Sequence, residues 1–589
     1  MQRHLKPAAA AAIALLATFA NVDAHAQQAP ATPAVAPMGE SKAGGLIIKY
    51  RDGKRSAAAI AASVQGASAV ASARGIIVQR ERENAMGARV LRFEQVLDAA
   101  EVEQLARDLK NSDADIEYVE PDYVMQPHWV PNDPRFGDQW HYTDPVGGIN
   151  LPDALDITDG SSIRVAVLDT GIRPHADLAA NILPGYDFIT DVPTANDGNG
   201  RDSNASDPGN WTTSGMCTPD VVRNSNWHGT HVAGTVAALG NNGIGVSGVA
   251  PKAKIVPVRV LGRCGGFTSD IADAIVWAAG GAVVGVPMNA NKAQVINMSL
   301  GGQQSCSATY QSAINKARNL GAMIVVSAGN SNLNISGFQP ASCVGVLPVA
   351  ATNQGGGKAT YSNFGAGVFI ASPGGDNGEP GVLSTSNTGM TTPLADSYRW
   401  MQGTSMAAPH VSGIAALMIS ANSTLPINMV STIMKETARS FPGSCSGCGA
   451  GIVNAAAAVK SAYAYTAENE PNNTTGTQQF LSKNPADVYG AINDGNSDND
   501  HYLVPLQAGS TLTATLDNRG WIDMNLYFYN SNTGQVLGGS AKAGGGGDEK
   551  ISYVNTSGKL MWITLRVLRG PLVPAAGSLQ PYKLMVRKS

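Results

Sequence analysis

The middle of this sequence predicts an α/β fold: a mainly parallel sheet with helices on both faces. A small βαββαβ unit is expected before it and an all-β unit after it. Three observations carry this expectation. Between about residues 127 and 462, short continuous apolar runs alternate with helix-length segments, the pattern of strands buried on both faces. Residues 45–126 run strand, helix, strand, strand, helix, strand, the order of a ferredoxin-like unit. Beyond residue 463 the apolar residues alternate with period two between turn signals, as in a small sandwich.

Taken in order, the chain opens with a basic start (Arg3, His4, Lys6), an apolar run from Ala8 to Ala20 and an Ala24-His25-Ala26 site. That combination predicts a signal peptide over residues 1–26, because the run is too short to span a bilayer. Residues 27–44 are rich in Ala, Pro and Gln and read as a linker. In the next unit Leu46–Tyr50, Ile76–Val78, Arg89–Phe93 and Ile116–Glu120 read as strands, and Ala57–Val70 and Val96–Leu109 as helices.

In the central region, Arg164–Leu168, Lys254–Val260, Ala293–Met298 and Ala322–Val326 read as strands. Ser269–Ala279, Tyr310–Leu320 and Ala407–Met418 read as helices. After Tyr465, Glu468–Asn473 reads as a linker, followed by strands at Thr511–Leu516 and Met524–Tyr529. Turns are expected at Asn532-Thr533-Gly534 and Ala543–Asp548.

A length of 589 residues is too great for one ordinary domain. A net charge of −4 gives no electrostatic case for a nucleic-acid partner. No stretch besides the first approaches a membrane span. The even number of cysteines, six, suits disulfides in an exported chain, with fifteen pairings open. The Cys445-Ser446-Gly447-Cys448 spacing alone is weak support for a metal or redox site, and export favours a small structural loop.

Three segments carry chemistry: Val165–Gly171 with Asp169, His228–Thr235 with His228, and Gly403–His410 with Ser405. Amide hydrolysis needs a nucleophile, a proton acceptor and a group that orients the acceptor. Ser405 sits among small residues near a helix start, where developing negative charge is favoured. Pro409 is expected in that helix's first turn, where a missing donor costs little. His228 is the candidate base, and Asp169, at the end of a buried strand, would hold its tautomer. Asn330 in Ser327-Ala328-Gly329-Asn330 can offer an amide to an oxyanion. Singly, each has a structural explanation: a helix cap, a core histidine, a turn.

Together these segments, with Asn297–Gly302, resemble the subtilisin family of serine endopeptidases, in which the order Asp, His, Ser holds. The resemblance covers about 127–462 and implies a subtilisin-like sheet, with Asp169, His228 and Ser405 as triad and Asn330 in the oxyanion hole. His231 matches a second, non-catalytic histidine. Ser299, Leu300 and Gly301, and Cys264, Gly265 and Gly266, match strands that sandwich an extended peptide. Ser327, Ala328 and Gly329 would wall the primary pocket, with Phe338–Ala341 near its base. No acidic residue is aimed into it, so a broad apolar preference is expected.

Residues 45–126 resemble the family's inhibitory pro-region, with the mature start expected between Gln126 and Pro131. Residues 463–589 resemble the pre-peptidase C-terminal domain, through Glu470–Asn473 and Asp498–Tyr502. The loop from Leu239 to Pro251 resembles the family's calcium loop. Asp133, Asp177, Asn242 and the carbonyls of Gly240, Ile244 and Val246 are the matching ligands. A second acidic group, Asp187, Asp191, Asp197, Asp202 and Asp207, is dense enough to suggest another calcium, with Asp187, Asp197 and Asp202 as ligands. Asp498 and Asp500 are expected in a sandwich turn. Expected disulfides are Cys217–Cys264, Cys306–Cys343 and Cys445–Cys448. The first would tether the Trp211–Asp220 insertion beside the substrate strand.

The expectation is thus a secreted, monomeric, calcium-stabilised endopeptidase made as a self-processing zymogen. Its partners would be protein substrates and its own pro-region. A binding protein on an inactive scaffold fits poorly with a full set of catalytic groups. An α/β-hydrolase esterase expects Gly-x-Ser-x-Gly and the order Ser, Asp, His, which Gly403–Ala407 and this chain do not provide.

Overall fold

The computed structural model describes residues 42–51, 56–123, 130–470, 472–492, 499–517, 524–540, 548–569 and 580–588. The expected signal peptide, the linker up to residue 41, the mature start around Gln126, and Asp498 lie outside these residues.

The first unit is a four-stranded antiparallel sheet in the order Val78–Glu83, Arg89–Asp98, Lys42–Tyr50, Ile116–Tyr123, with helices Ala57–Ser72 and Ala99–Ser112. This is the expected ferredoxin-like order. Most boundaries differ by a few residues, and strand pairing explains several of them. The first strand begins at Lys42 because Lys42 and Ala43 pair with Asp98 and Leu97. The same pairing keeps Val96–Asp98 extended and delays the helix to Ala99. The second strand starts only at Val78, where its pairing with Phe93 begins.

The central region forms a seven-stranded sheet. Its order is Ile370–Pro373, Leu347–Thr352, Met323–Ser327, Val295–Met298, Arg164–Asp169, Lys254–Arg259, Tyr186–Asp187. Every pairing in it is parallel. The two-residue period explains the layering. Val165 and Val167 join one buried cluster with the helices His228–Ala237 and Thr404–Ala421. Ala166 and Leu168 join a second, with Thr268–Ala278 and Ala308–Asn319. The chain starts at Arg164–Asp169, builds to one side, then crosses to Val295–Met298 on the other. The order therefore reverses between these two strands, and the crevice beyond their carboxyl ends is where open α/β sheets bind ligands.

The helix Thr404–Ala421 is apolar all round and runs through the middle of its layer. It starts three residues before the expected Ala407, so Ser405 lies in its first turn and Pro409 in its second. Proline there removes the donor that would reach the carbonyl of residue 405. That freed carbonyl accepts instead from Ser299 Oγ at 2.8 Å.

The C-terminal residues form two five-stranded sheets around one apolar core that includes Tyr502, Phe528, Leu565 and Leu584. The chain is tied down just before the expected linker. The helix Ala455–Ala464 passes directly into the strand Tyr465–Ala467, which pairs in parallel with Asp487–Tyr489. Tyr465 is buried against the catalytic core, and its carbonyl accepts from Asn422 Nδ2 and Lys483 Nζ. Tyr489 packs on its ring at 5.7 Å, and the Tyr489 hydroxyl bonds Glu436. Asp500 begins the strand Asp500–Leu506 rather than sitting in a turn.

Truncating a buried aromatic removes its transfer free energy and leaves a cavity. Tyr465→Ala is expected to destabilise the catalytic core by about 3–5 kcal/mol, read by chemical denaturation of the inhibited chain.

Candidate active site

Asp169 ends the central strand, fully buried, and its carboxylate must find donors there. His228 Nδ1 lies 2.8 Å and 2.9 Å from the two carboxylate oxygens, and the Thr170 N–H donates to Oδ1 at 2.7 Å. The fit depends on Gly229: a Cβ there would stand 2.2 Å from the Gly171 carbonyl. Burial alone would lower the His228 pKa, but the adjacent Asp169 charge and hydrogen bond outweigh it and hold it above the usual value. The carboxylate acceptors favour the tautomer with the proton on Nδ1, which leaves Nε2 as the basic nitrogen.

Ser405 is offered from the first turn of its helix, and its Oγ donates to the Ser299 carbonyl at 3.2 Å. A chain of bonds locks this helix to the neighbouring strand. Ser412 Oγ donates to Asn297 Oδ1 at 2.8 Å, and Asn297 Nδ2 donates to Ser299 Oγ at 3.0 Å. Asn330 faces the same residues. Its Oδ1 accepts from the Thr404 N–H at 2.9 Å and from Thr404 Oγ1 at 2.8 Å. A backbone donor on Oδ1 fixes the amide orientation and directs Nδ2 away as an available donor.

The expected substrate edges differ in form. Ser299, Leu300 and Gly301 leave the strand Val295–Met298, and Gly302 pairs with Gln339. Ser327 ends its strand, and Ala328 and Gly329 follow. Gly329 has φ +104°, and a Cβ there would stand 2.3 Å from Asn363 Nδ2 and 3.5 Å from Phe338. Phe338 is buried, so it lies beside the wall as expected. Cys264 and Gly265, by contrast, are not extended. Their φ values are +64° and +109°, and the Gly262 N–H donates to the Gly265 carbonyl in a tight turn. All three expected disulfides are present. Cys217–Cys264 ties that turn to the insertion, and Arg263 stacks on Trp211 at 4.0 Å beside it. Cys306–Cys343 joins the loops that follow Gly302 and Phe338.

Asp133 and Asp177 come together at the Leu239–Pro251 loop, both buried. Asp133 accepts from the N–H groups of Asn241 and Asn242, and Asp177 from Val246 N–H and Asn242 Nδ2. Among the described residues neither pairs with a lysine or arginine. Burial pushes the Asp177 carboxyl up to about 6, with Asp133 adding repulsion. A buried, all-oxygen, anionic pair without a basic partner fits a calcium ion.

The second acidic group does not assemble in that way. Arg259, itself buried on the strand Lys254–Arg259, donates to both Asp187 and Asp197 and supplies the positive charge that calcium was expected to bring. Asp202 instead binds Asn199 Nδ2 and the Asn204 N–H. Asp191 caps the helix Val192–Ala195. Asp207 leaves the group for a buried bond to Thr170 Oγ1. Arg259 was missed because it is distant in sequence and only sheet register brings it in. In the sandwich, Glu468, Glu470 and Asp500 bring ligand atoms within 4.8 Å of one another.

A model of the subtilase family matches residues 160–476, more than half of the chain. An extracellular protease of Xanthomonas campestris is 50% identical over 426 residues, covering 71% of this chain and 72% of that protein. An extracellular basic protease of Dichelobacter nodosus is 44% identical over 430 residues, covering 70% of each. A solved protease from Pseudoalteromonas arctica shares 57% identity and a TM-score of 0.56, covering 57% of this chain and all of its own. The chain belongs to the subtilase family. It is a serine endopeptidase.

Within this subtilase, His231 is set apart from the reacting groups. Its Nε2 is held by the carbonyls of Val382 and Arg399, and burial lowers its pKa to about 3, so it is a neutral core histidine. Thr170, Asn297, Thr404, Ser412 and Asn363 orient the site, yet only spatial contact identifies them. Thr170, Asn297 and Thr404 lie within the three chemistry-bearing segments or Asn297–Gly302, where nothing but position marks them.

Removing a preorganised oxyanion donor costs about 10²–10³ in kcat, a magnitude measured in a subtilisin itself. Asn330→Ala is expected to lose that much kcat with KM little changed, in steady-state assays on a peptide amide.

Proposed function

We propose that this subtilase is exported and cleaves extracellular proteins through Asp169, His228 and Ser405, with Asn330 as oxyanion donor. The observation that carries this reading is the buried Asp169–His228 pair, together with a serine offered from a helix start whose neighbour Thr404 holds Asn330 by its Oδ1, leaving Nδ2 without a hydrogen bond among the described residues. Ser405 Oγ leaves the Ser299 carbonyl, transfers its proton to His228 Nε2 and attacks the peptide carbonyl carbon. Asn330 Nδ2 donates to the resulting oxyanion. His228 returns the proton to the departing amine, which leaves an acyl-enzyme on Ser405. Water, deprotonated by His228, then repeats the sequence and frees the acid. Export is supported by the leader pattern and by the extracellular proteases that resemble the chain.

Segment 45–126 serves as the inhibitory pro-region of a self-processing zymogen. Support comes from its ferredoxin-like sheet, whose last strand Ile116–Tyr123 runs toward the expected cleavage stretch. The walls Ser299–Gly301 and Ser327–Gly329, with Phe338–Ala341 behind, carry no charged side chain, which supports a broad apolar preference at the residue before the cut. Asp133, Asp177, Asn242 and the loop carbonyls of Gly240, Ile244 and Val246 would hold calcium. When bound, the ion neutralises the two carboxylates and ties Asp133, near the mature start, to the loop.

Ser405→Ala is expected to abolish peptide cleavage and to leave the precursor uncut. Full processing of the purified variant would sink self-processing, and retained hydrolysis would sink the nucleophile assignment. Chelation of calcium is expected to lower the thermal midpoint of the inhibited enzyme. Asp177→Asn should remove most of that response, as scanning calorimetry with and without chelator would show.

A further inference from the structure

We infer that Asp207 is a positioning residue of this active site, acting through Thr170 and placing a second buried negative charge near the His228 imidazole. The inference rests on the assignment of Asp169, His228 and Ser405 above. Asp207 is almost fully buried and touches neither the expected calcium loop nor the Arg259 cluster by hydrogen bond. Its Oδ2 accepts from Thr170 Oγ1 at 2.7 Å, and its Oδ1 from the Gly209 N–H at 2.8 Å. With its proton so committed, the Thr170 hydroxyl accepts from the Gly229 N–H at 3.0 Å. Thr170 follows Asp169, and Gly229 follows His228. One short chain of bonds thus sets the spacing of the two segments that carry the base and its orienting carboxylate. Asp207 is held in turn by its N–H on the Ile172 carbonyl and by Arg173 on its own carbonyl.

The charge acts in the same direction. The charged or titratable groups facing His228 are Asp169, Asp207 and neutral His231. Those facing Asp207 are Asp169, His228 and Arg259, with Arg173 at its backbone. Burial pushes the Asp207 carboxyl up to about 6, against the pull of Thr170, the Gly209 N–H and Arg259, so it is ionised in the alkaline range. A negative charge there favours the imidazolium that forms during catalysis. Its removal must lower the His228 pKa and keep the imidazole neutral to lower pH.

The test compares pH profiles of kcat/KM for the full mature enzyme and three variants on a peptide amide. Asp207→Asn is expected to move the acid limb to lower pH and to cut the plateau about tenfold or more, as misplaced reacting groups do. Thr170→Val leaves the charge but breaks the chain. It should cut kcat at least about tenfold with KM held and the acid limb in place, and Thr170→Ser should restore kcat. An acid limb for Asp207→Asn identical to the parent overturns the electrostatic role. Parent kcat in Thr170→Val overturns the positioning role, and this arm stands even if Asp207→Asn fails to fold. Labelling of Ser405 in the parent by a serine-directed phosphonate separates these outcomes from failure of the triad assignment, in which no label appears.

Discussion

A carboxylate buried at the end of a parallel strand dictates much of what surrounds it. Asp169 is buried, and among the described residues no lysine or arginine hydrogen-bonds to it, so its oxygens are matched by His228 and by the Thr170 N–H. Those donors can reach it only if the helix beginning at His228 comes almost into contact with the strand end. That approach is possible because residue 229 is glycine. The same crowding recurs further along the helix, where a Cβ on Gly234 would stand 2.1 Å from Thr385 Oγ1. The small residues of the histidine motif are therefore packing requirements of the buried carboxylate as much as marks of catalysis.

The serine side solves a complementary problem. Ser405 must be held rigidly without surrendering its hydroxyl. The helix behind it is buried from Met406 to Ile419 and is registered to the strand Val295–Met298 through Ser412, Asn297 and Ser299. Pro409 contributes by what it lacks, since its missing N–H leaves the Ser405 carbonyl open to Ser299. Thr404 fixes Asn330 through two bonds to the same oxygen, which leaves Nδ2 for the oxyanion role proposed above. In the proposed mechanism, orientation and charge stabilisation thus rest on side chains at or just beyond three strand ends (Asp169, Ser299 and Asn330) and on two helices, those of His228 and Ser405.

The acidic residues show how the same composition separates into different roles. Among the described residues Asp133 and Asp177 meet without a basic partner, whereas Asp187 and Asp197 meet around Arg259. Asp191 caps a helix and Asp207 reaches the catalytic segment. Local density of carboxylates could not distinguish these fates. The deciding factor is which distant cation or donor the sheet brings alongside, and Arg259 arrives only because its strand pairs with both Arg164–Asp169 and Tyr186–Asp187.

The sequence by itself determined the α/β core, the ferredoxin-like unit and the sandwich, and it singled out Asp169, His228, Ser405 and Asn330 as the candidate catalytic groups. Each of these is written in short-range pattern: the period of apolar residues, or a reactive residue within a run of small ones. Tertiary structure alone decided the rest. It turned Cys264–Gly265 into a tight turn and extended the third strand of the first unit to Asp98. It placed a strand, Tyr465–Ala467, directly after a catalytic-domain helix and before the expected linker, and it assigned Arg259, Thr170 and Asp207 their partners. The reason is physical. Hydrogen bonds and charge pairs in the interior join residues far apart in the chain, and their strength depends on burial and register, which no local window contains.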